Sequence, residues 1–408
     1  MQGLIGLCAI IGLAVLLSTG RRSIRLRTVL GAIGLQFAIA VLVFNVPFAT
    51  AAIRWLAEGA TELLAFSEAG AVFLFGDLAR SDGPAGFVFA FRVLPVLVFL
   101  SALVAVLYHL RVMQALIAGL AFLLRRTLGV TGLESLAVAA NVFLGQTEAP
   151  LCIKPFLPSM TRSQLMVVMT SGFATIAGSV LLGYIALLGG DDPERQRIFA
   201  MHLITASLMS APGAFALAKV LVPETEDPPD ERDAISRIER PAANVLDAAA
   251  RGARDGLFLA LNVAAVLVAF VALVALADWP LRAFGTSVSE ILGVLFTPAA
   301  WAIGIPWRDA GAIGGVMGLQ VVATEFLAYA ELAEIASTEG STVDPRSIEL
   351  ATYALCGFCN FASIGIQLGG LGDMAPSRRA DFARLVLRAL LGGLLACWMT
   401  ASIAGLFI

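Results

Sequence analysis

Long apolar blocks dominate the pattern of hydrophobic and polar positions along this chain. A helix of about 20 apolar residues crosses the roughly 30 Å hydrocarbon layer of a bilayer. A membrane β-barrel would show weaker, alternating segments of about 10 residues. The pattern therefore predicts an all-α polytopic membrane protein. We expect eight transmembrane helices, at roughly 3–19, 28–48, 86–109, 163–188, 197–221, 256–277, 349–370 and 382–406.

Two further apolar stretches are interrupted near their centres by polar residues. The stretch at roughly 136–157 contains GQTEAP, Gly145 to Pro150. The stretch at roughly 298–335 contains TEFLAY, Thr324 to Tyr329. Apolar segments that are interrupted in this way are typical of re-entrant hairpins, which enter and leave a membrane on one side. We predict two such hairpins in addition to the eight spans.

The positions of arginine and lysine indicate the orientation, because short cytoplasmic loops are enriched in both. The basic cluster Arg21 to Arg27 follows the first span, as expected for a spanning helix rather than a cleaved signal peptide. This places the N-terminus outside and, after eight spans, the C-terminus outside as well. We expect interfacial segments on the cytoplasmic side near 111–126 and on the outer side near 285–297.

The two halves of the chain resemble each other. A hairpin, a glycine-rich span, a loop and a further span recur in the same order, and the first set enters from inside, the second from outside. The matching residues are Thr147 and Glu148 with Thr324 and Glu325, and Gly172 and Phe173 with Gly357 and Phe358. Such an inverted repeat predicts a substrate site near the midplane, where broken helices meet.

These patterns divide the chain into five parts. The predicted parts are 1–110, the N-terminal spans; 111–221, an interfacial helix with the first hairpin, a broken span and the span after it; 222–255, a hydrophilic cytoplasmic loop that is partly an amphipathic surface helix; 256–297, a span and an outer interfacial helix; and 298–408, the second hairpin, a broken span and the last span.

Composition narrows the function classes. The chain is 59% hydrophobic and 14% charged, against about 25% charged in soluble proteins. Its formal net charge of -3 does not suggest a nucleic-acid partner. The two histidines are not grouped with other potential ligands, and the five cysteines lie in apolar segments, which weighs against an intramembrane metalloenzyme.

Two carboxylates at the hairpin tips, Glu148 and Glu325, need a protected polar cavity, because a charge at the bilayer centre costs about 2.5 to 3.5 kcal/mol on insertion scales. The amides and hydroxyls nearby donate and accept hydrogen bonds, and no Arg or Lys accompanies them. A neutral, polar substrate with a ring fits this set. Polar groups of this kind also join helices by hydrogen bonds. A channel, or a membrane enzyme that uses both carboxylates for acid-base work, stays an alternative.

The motifs GQTEAPL, GFATIAGSV, EFLAY and YALCGFCNFASIGIQLGGLGDMAPSRR resemble, in this order, the signatures of the concentrative nucleoside transporter family, and the likeness is strongest from about 136 to 380. The resemblance implies a bacterial-type inner-membrane symporter that takes up nucleosides by an elevator motion. It implies that 1–110 and 256–297 form a scaffold, against which a transport region of 111–221 and 298–408 moves. It further implies a homotrimer in membrane lipid, with no cofactor apart from Na⁺ as the coupling ion. Proton-coupled relatives exist, so H⁺ is the alternative.

The resemblance also implies site residues, position by position. The expected nucleoside-binding residues are Gln146, Thr147, Glu148, Val180, Glu325, Phe358, Asn360 and Ser363. The first four are expected at the nucleobase, Glu325, Asn360 and Ser363 at the sugar, and Phe358 as the ring that packs on the nucleoside. The expected Na⁺ ligands are Asn141, Leu144, Thr175 and Ile176, partly through backbone carbonyls, which suit hard cations. One position departs from the family pattern, because Thr324 stands where relatives commonly have Asn before the Glu of EFLAY.

Overall fold

The computed structural model describes residues 2–80, 86–228, 242–338 and 342–408. These residues form 17 α-helices, joined by turns and short 3₁₀ segments, and they contain no β-strand. Within them, six helical stretches are long and apolar enough to cross a membrane: Leu26–Asn45, Phe89–His109, Arg162–Gly189, Pro193–Leu221, Val245–Phe284 and Pro376–Ala404. The prediction of an all-α polytopic membrane protein is confirmed, and the number of eight spans stays a prediction.

The N-terminal part contains one long helix that we did not predict. The helices here are α1 (Gln2–Leu16), α2 (Leu26–Asn45), α3 (Pro47–Phe75), α4 (Phe89–Arg92), α5 (Leu94–His109) and α6 (Val112–Leu128). Helix α3 has 29 residues. Its charged residues, among them Arg54, Glu58 and Glu62, break the apolar run, so the length of the hydrophobic block gave no signal for it.

The first hairpin and the broken span after it form as predicted. Helix α7 (Gly132–Asn141) is followed by a 3₁₀ helix (Ala149–Ser159), α8 (Arg162–Ala174), α9 (Gly178–Gly189) and α10 (Pro193–Leu221). Thr131 and Thr161 start α7 and α8 with capping boxes, in which the threonine and the third helical residue exchange hydrogen bonds. We call this set, from α7 to α10, the first unit.

The predicted cytoplasmic loop at 222–255 is too long. Residues 229–241 lie outside the described residues, but helix α11 (Val245–Leu281) already begins within the predicted loop. The Asn244 side chain accepts from Asp247 N at 2.9 Å, and Arg251 Nε donates to Asp247 Oδ1 at 3.0 Å. A cap and an i, i+4 ion pair extend this helix by several turns before its apolar part begins.

The second hairpin begins later than predicted. Helix α12 (Val288–Ala302) contains Pro298, and the chain bends by 118° between α12 and α13 (Trp307–Val322). Residues 298–302 therefore belong to the preceding helix, and the predicted boundaries at 297 and 298 are wrong. Apolar residues continue across the bend, which hid it from the hydrophobic pattern. The remaining helices are α14 (Glu325–Ser337), α15 (Pro345–Ala354), α16 (Phe361–Met374) and α17 (Arg379–Ala404).

Helices α13 to α17, the second unit, repeat the order of elements of the first. The first helix of each hairpin has an acidic residue at its third position, Glu134 in α7 and Asp309 in α13. Glu134 pairs with Lys219 near the end of α10. Asp309 Oδ2 accepts from Ser347 Oγ of α15 at 2.7 Å, and Arg346 beside it donates to the Gly405 carbonyl after α17 at 2.6 Å. Polar junctions thus tie the hairpin to the rest of each unit.

Candidate functional site

Each unit contains a span that is broken in the middle. The first break, Thr175 to Ala177, separates α8 from α9, and the second break, Leu355 to Asn360, separates α15 from α16. Gly357 in the second break lies so close to α8 that an added Cβ would be 2.5 Å from the Phe173 carbonyl oxygen. Glycine is therefore required at this contact. The predicted unwinding of GFATIAG and GFCNFASIG is found in the structure.

The carboxylate of Glu325 is the best-anchored group at the site. Glu325 is the first residue of α14 and only 4% exposed. Its Oε1 accepts from the Tyr184 hydroxyl at 2.9 Å, and its Oε2 accepts from Asn360 Nδ2 at 2.6 Å. A helix N-terminus also favours negative charge. The carboxylate is thus fixed by donors from both units and by the start of its own helix.

The other residues predicted for the sugar, Asn360 and Ser363, lie at the same place. Asn360 Oδ1 accepts from Ser363 N at 2.8 Å and so caps α16. Phe358, two residues earlier, is half-buried against the apolar core. Thr324, at the position of the departure from the family pattern, caps α14 by accepting from Leu327 N at 3.3 Å. A threonine hydroxyl performs this capping role as an asparagine would.

The first hairpin tip lies against the second unit. Gln146 is buried, and its Oε1 accepts from Gln367 Nε2 of α16 at 3.1 Å. Thr147 packs beside Gly370, where an added Cβ would be 3.3 Å from Thr147 Cγ2. The structure therefore joins Gln146 and Thr147 of the first tip to the helix that begins with the Asn360 cap.

Two other residues predicted for the nucleobase are placed differently from each other. Val180 is buried near the start of α9. Glu148 is exposed, and its Oε2 accepts from Gly145 N within the tip at 3.3 Å. Among the described residues no hydrogen bond joins Glu148 to Glu325. The two carboxylates therefore have different environments, one open and one enclosed.

One of the residues predicted for Na⁺, Asn141, carries an acceptor that is left open. Asn141, the last residue of α7, is buried, and its Nδ2 donates to Ser171 Oγ at 2.8 Å. Its Oδ1 has no hydrogen-bond partner among the described residues. Thr175 Oγ1, which donates to the Ser171 carbonyl at 2.7 Å, keeps its own lone pairs. A buried acceptor without a donor fits a cation ligand.

Backbone from the two interrupted segments meets beside this acceptor. Gly178 N donates to the Phe143 carbonyl at 3.0 Å, which brings the first break to the end of α7. Leu144 follows Phe143, and Ile176 precedes Gly178 by two residues. Both are buried. The four predicted Na⁺ ligands therefore lie on two segments that are hydrogen-bonded to each other.

Three polar residues at this site were missed by sequence reasoning. Tyr184 holds Glu325 and Gln367 holds Gln146, as described above. Gln320 Nε2 of α13 donates to the carbonyls of Leu355 and Gly357 at 2.9 Å each. Carbonyls freed in the second break are thus bound by a side chain. Each of the three is an isolated polar residue in an apolar run, and that is the signal that could have found them.

Comparison with known proteins agrees with these motifs. A family model described as "Na+ dependent nucleoside transporter C-terminus" matches residues 202–405, its N-terminal counterpart matches residues 5–78, and a model described as "Nucleoside recognition" matches residues 90–191. Together the three matches cover most of the chain, and two of them name a nucleoside transporter.

Relatives and a solved structure extend the likeness over the whole chain. An uncharacterized transporter of Haemophilus influenzae is 41% identical over 100% of this chain and 98% of its own length. Sodium/nucleoside cotransporter 1 of Sus scrofa is 38% identical over 98% of this chain and 63% of its own. The structure of CNTnw in an inward-facing substrate-bound state is 42% identical, covers 100% of this chain and 97% of that chain, and superposes with a TM-score of 0.91. This chain therefore belongs to the concentrative nucleoside transporter family.

Proposed function

We propose that this protein is a Na⁺-coupled symporter that takes up nucleosides. The observation that carries the proposal is the enclosed carboxylate of Glu325, which is held by Tyr184 and Asn360 from the two units. An ionised carboxylate has about four acceptor positions, and the two hydrogen bonds leave others for a ligand. Two neighbouring hydroxyls of a ribose suit such an acceptor, because a charged acceptor strengthens both hydrogen bonds.

The nucleoside-binding residues that we propose lie on both hairpin tips and both broken spans. Glu325, Asn360 and Ser363 bind the sugar, and Phe358 packs against the nucleoside. Gln146, Thr147, Glu148 and Val180 bind the nucleobase. The amide of Gln146 offers a donor and an acceptor, as the edge of a base does. The matched models of a nucleoside transporter and of nucleoside recognition support this substrate class.

The coupling ion that we propose binds at the first break. Asn141 Oδ1, Thr175 and the backbone of Leu144 and Ile176 supply oxygens of the kind that hard cations prefer. Because Asn141 ends α7 and Gln146 lies five residues further on, a cation there would order the tip that binds the base. Ion and nucleoside would then increase each other's affinity, as thermodynamic linkage requires.

We further propose that transport occurs by an elevator motion. Both units would move together against a scaffold of the N-terminal helices and α11, with the N- and C-termini outside the inner membrane. Structures of CNTnw in an inward-facing state and of its variant in an outward-facing state support alternation between two sides. Polar contacts between the first unit and the N-terminal helices, such as Arg197 with Glu58 at 3.6 Å, would have to change in such a motion.

A homotrimer is part of the same proposal. Helix α3 exposes several large aromatic side chains although its charges do not suit a membrane span. The most exposed are Phe48 at 84%, Trp55 at 71% and Phe73 at 93%. Faces of this kind usually contact another chain or lipid. Chemical cross-linking in the membrane, with a trimer as the expected product, tests this part.

Uptake by proteoliposomes, measured with Na⁺ and pH varied independently and with a panel of competing nucleosides, tests the function. We expect Na⁺-driven accumulation of the unchanged nucleoside against its gradient. Accumulation that ignores Na⁺ and collapses with a protonophore would instead establish H⁺ coupling. Equilibration without accumulation would indicate a channel. Chemically altered nucleoside would indicate the membrane enzyme.

A further inference from the structure

We propose that Tyr184 and Gln367 are a reciprocal pair of positioning residues. Tyr184 of the first unit orients Glu325 at the tip of the second hairpin. Gln367 of the second unit orients Gln146 at the tip of the first. This inference rests on the proposed function, because it assigns to each residue one half of the nucleoside: the sugar to Tyr184 and the base to Gln367.

The ring of Tyr184 is held rigidly in the apolar core. Tyr184 is fully buried, and its centroid lies 4.7 Å from that of Phe326 and 4.6 Å from that of Tyr329. Aromatic contacts at these distances fix the plane of a ring. The hydroxyl, 2.9 Å from Glu325 Oε1, therefore determines where one carboxylate oxygen lies. The second oxygen is fixed by Asn360, so the carboxylate is oriented before any ligand arrives.

Gln367 is held with equal rigidity on the other side. It is 1% exposed, and its Nε2 donates both to Gln146 Oε1 at 3.1 Å and to the Met169 carbonyl at 3.0 Å. Gly172 makes room for this contact. A Cβ at Gly172 would be 2.6 Å from Gln367 Nε2 and 3.1 Å from Gln146 Cβ. The site is thus shaped so that Gln367 can reach Gln146.

Tyr184 and Gln367 occupy equivalent positions in the two units. Helix α9 begins at Gly178 and α16 at Phe361, so each residue is the seventh of the half-helix that follows a break. Both lie about 9 Å, or less than two turns, beyond the helix start. Each half-helix therefore presents a polar side chain to the hairpin tip of the other unit. Because the contacts cross between units, each half of the nucleoside site depends on both halves of the chain.

The test for Tyr184 is the recognition of sugar hydroxyls. Tyr184→Phe removes the donor and keeps the ring. Tyr329→Phe is the matched control, because Tyr329 is also fully buried and its hydroxyl donates to the Thr352 carbonyl at 3.0 Å instead of to Glu325. Binding of a ribonucleoside and of its 3′-deoxy analogue to the purified protein is measured for each variant, at saturating Na⁺.

We expect Tyr184→Phe to weaken ribonucleoside binding by about 10-fold, as the loss of a hydrogen bond to a charged group implies. The affinity ratio of ribonucleoside to 3′-deoxy analogue should fall with it, because a misplaced carboxylate gains less from the hydroxyl. Tyr329→Phe should leave the ratio unchanged. If Tyr184→Phe does not yield folded protein, Tyr184→Met removes the same hydroxyl and is judged by the same ratio.

The test for Gln367 is discrimination among bases. Gln367→Leu removes the donor to Gln146. Gln36→Leu is the matched control, because Gln36 of α2 is also fully buried and also donates twice, to the Met209 carbonyl at 2.8 Å and to Thr400 Oγ1 at 3.1 Å. We expect Gln367→Leu to change the relative affinities of nucleosides with different bases by about 3- to 10-fold. The ribonucleoside to 3′-deoxy ratio should stay as in the wild type.

The outcomes separate this inference from the proposed function. Wild-type protein that binds no nucleoside refutes the function itself. Wild-type binding, with Tyr184→Phe lowering both analogues equally or behaving like Tyr329→Phe, refutes the positioning role of Tyr184. A Gln367→Leu variant that alters sugar discrimination, or that matches Gln36→Leu, refutes the reciprocal assignment.

Discussion

The two helix breaks have similar sequences but different hydrogen-bond donors. A buried amide oxygen near each break has no hydrogen-bond partner among the described residues, Asn141 Oδ1 at the first and Gln320 Oε1 at the second. At the second break, amide nitrogens also point inward: Gln320 Nε2 binds the carbonyls of Leu355 and Gly357, and Asn360 Nδ2 binds Glu325. Inward donors suit a carboxylate and disfavour a cation, so we expect the ion at the first break. An internal repeat would then have produced two sites of different chemistry.

The largest expected effect lies at the second break. Glu325→Gln replaces a charged acceptor with an amide, whose NH₂ faces the donors Tyr184 or Asn360 in place of one oxygen. We expect nucleoside affinity to fall by about 100-fold or more, since hydrogen bonds to charged groups contribute about 1.5 to 3 kcal/mol each. Binding of uridine to the purified variant is the measurement.

Glu331→Gln is the control for this variant, because Glu331 lies on the same helix α14 without being part of the proposed site. Near-normal uridine affinity in Glu325→Gln would contradict the sugar assignment. Tyr184 and Asn360, which hold the Glu325 carboxylate, would then have no role in nucleoside binding.

A smaller effect is expected at the first break. Asn141→Leu keeps the branching of the side chain and removes the open oxygen. The Na⁺ concentration for half-maximal uptake should rise by about 10-fold or more, because a ligand of a hard cation is lost. Nucleoside affinity measured at saturating Na⁺ should recover, since the linkage acts through ion occupancy. An unchanged Na⁺ requirement would show that the open acceptor serves another purpose.

The opposite result is expected for Gln320→Leu at the second break. Two buried carbonyls lose their donor, at a cost of about 1 to 2 kcal/mol in a membrane protein. The melting temperature of the detergent-solubilised protein should fall by about 3 °C. The Na⁺ requirement should not change. A Na⁺ requirement that shifts as much as in Asn141→Leu would mean that both breaks sense the ion, and the contrast between them would be lost.

The contrast shows what the sequence could and could not predict. Long apolar runs and their interruptions predicted the helices, both hairpins and both breaks, because burial in lipid requires them. The motifs predicted that Glu325, Asn360 and Ser363 lie at one site. Tyr184 and Gln320 were missed, because their partners are more than 30 residues away and a lone polar residue in an apolar helix does not reveal what it faces.

One helix and one helix boundary were not predicted, for a different reason. Helix α3 is amphipathic rather than apolar, and the bend before Trp307 lies inside a continuous apolar stretch. Both features depend on which face of a helix meets protein and which meets lipid. Hydrophobicity alone does not distinguish these two surroundings in a membrane protein, since both are apolar.

The smallest predicted effect comes from removing one threonine hydroxyl near each break and comparing the Na⁺ requirement of the two variants. Thr175 and Thr352 are both buried, and each donates to the carbonyl four residues earlier, Ser171 at 2.7 Å and Ile348 at 2.9 Å. Valine has the same shape, so Thr175→Val and Thr352→Val remove the same local hydrogen bond. Thr175 shares its partner Ser171 with Asn141, which carries the open acceptor of the first break, so only Thr175→Val should raise the Na⁺ requirement, by about 3-fold for one weak oxygen ligand. Equal Na⁺ titrations of the two variants would contradict a role of Thr175 in ion binding, and a shift in Thr352→Val alone would place the ion at the second break.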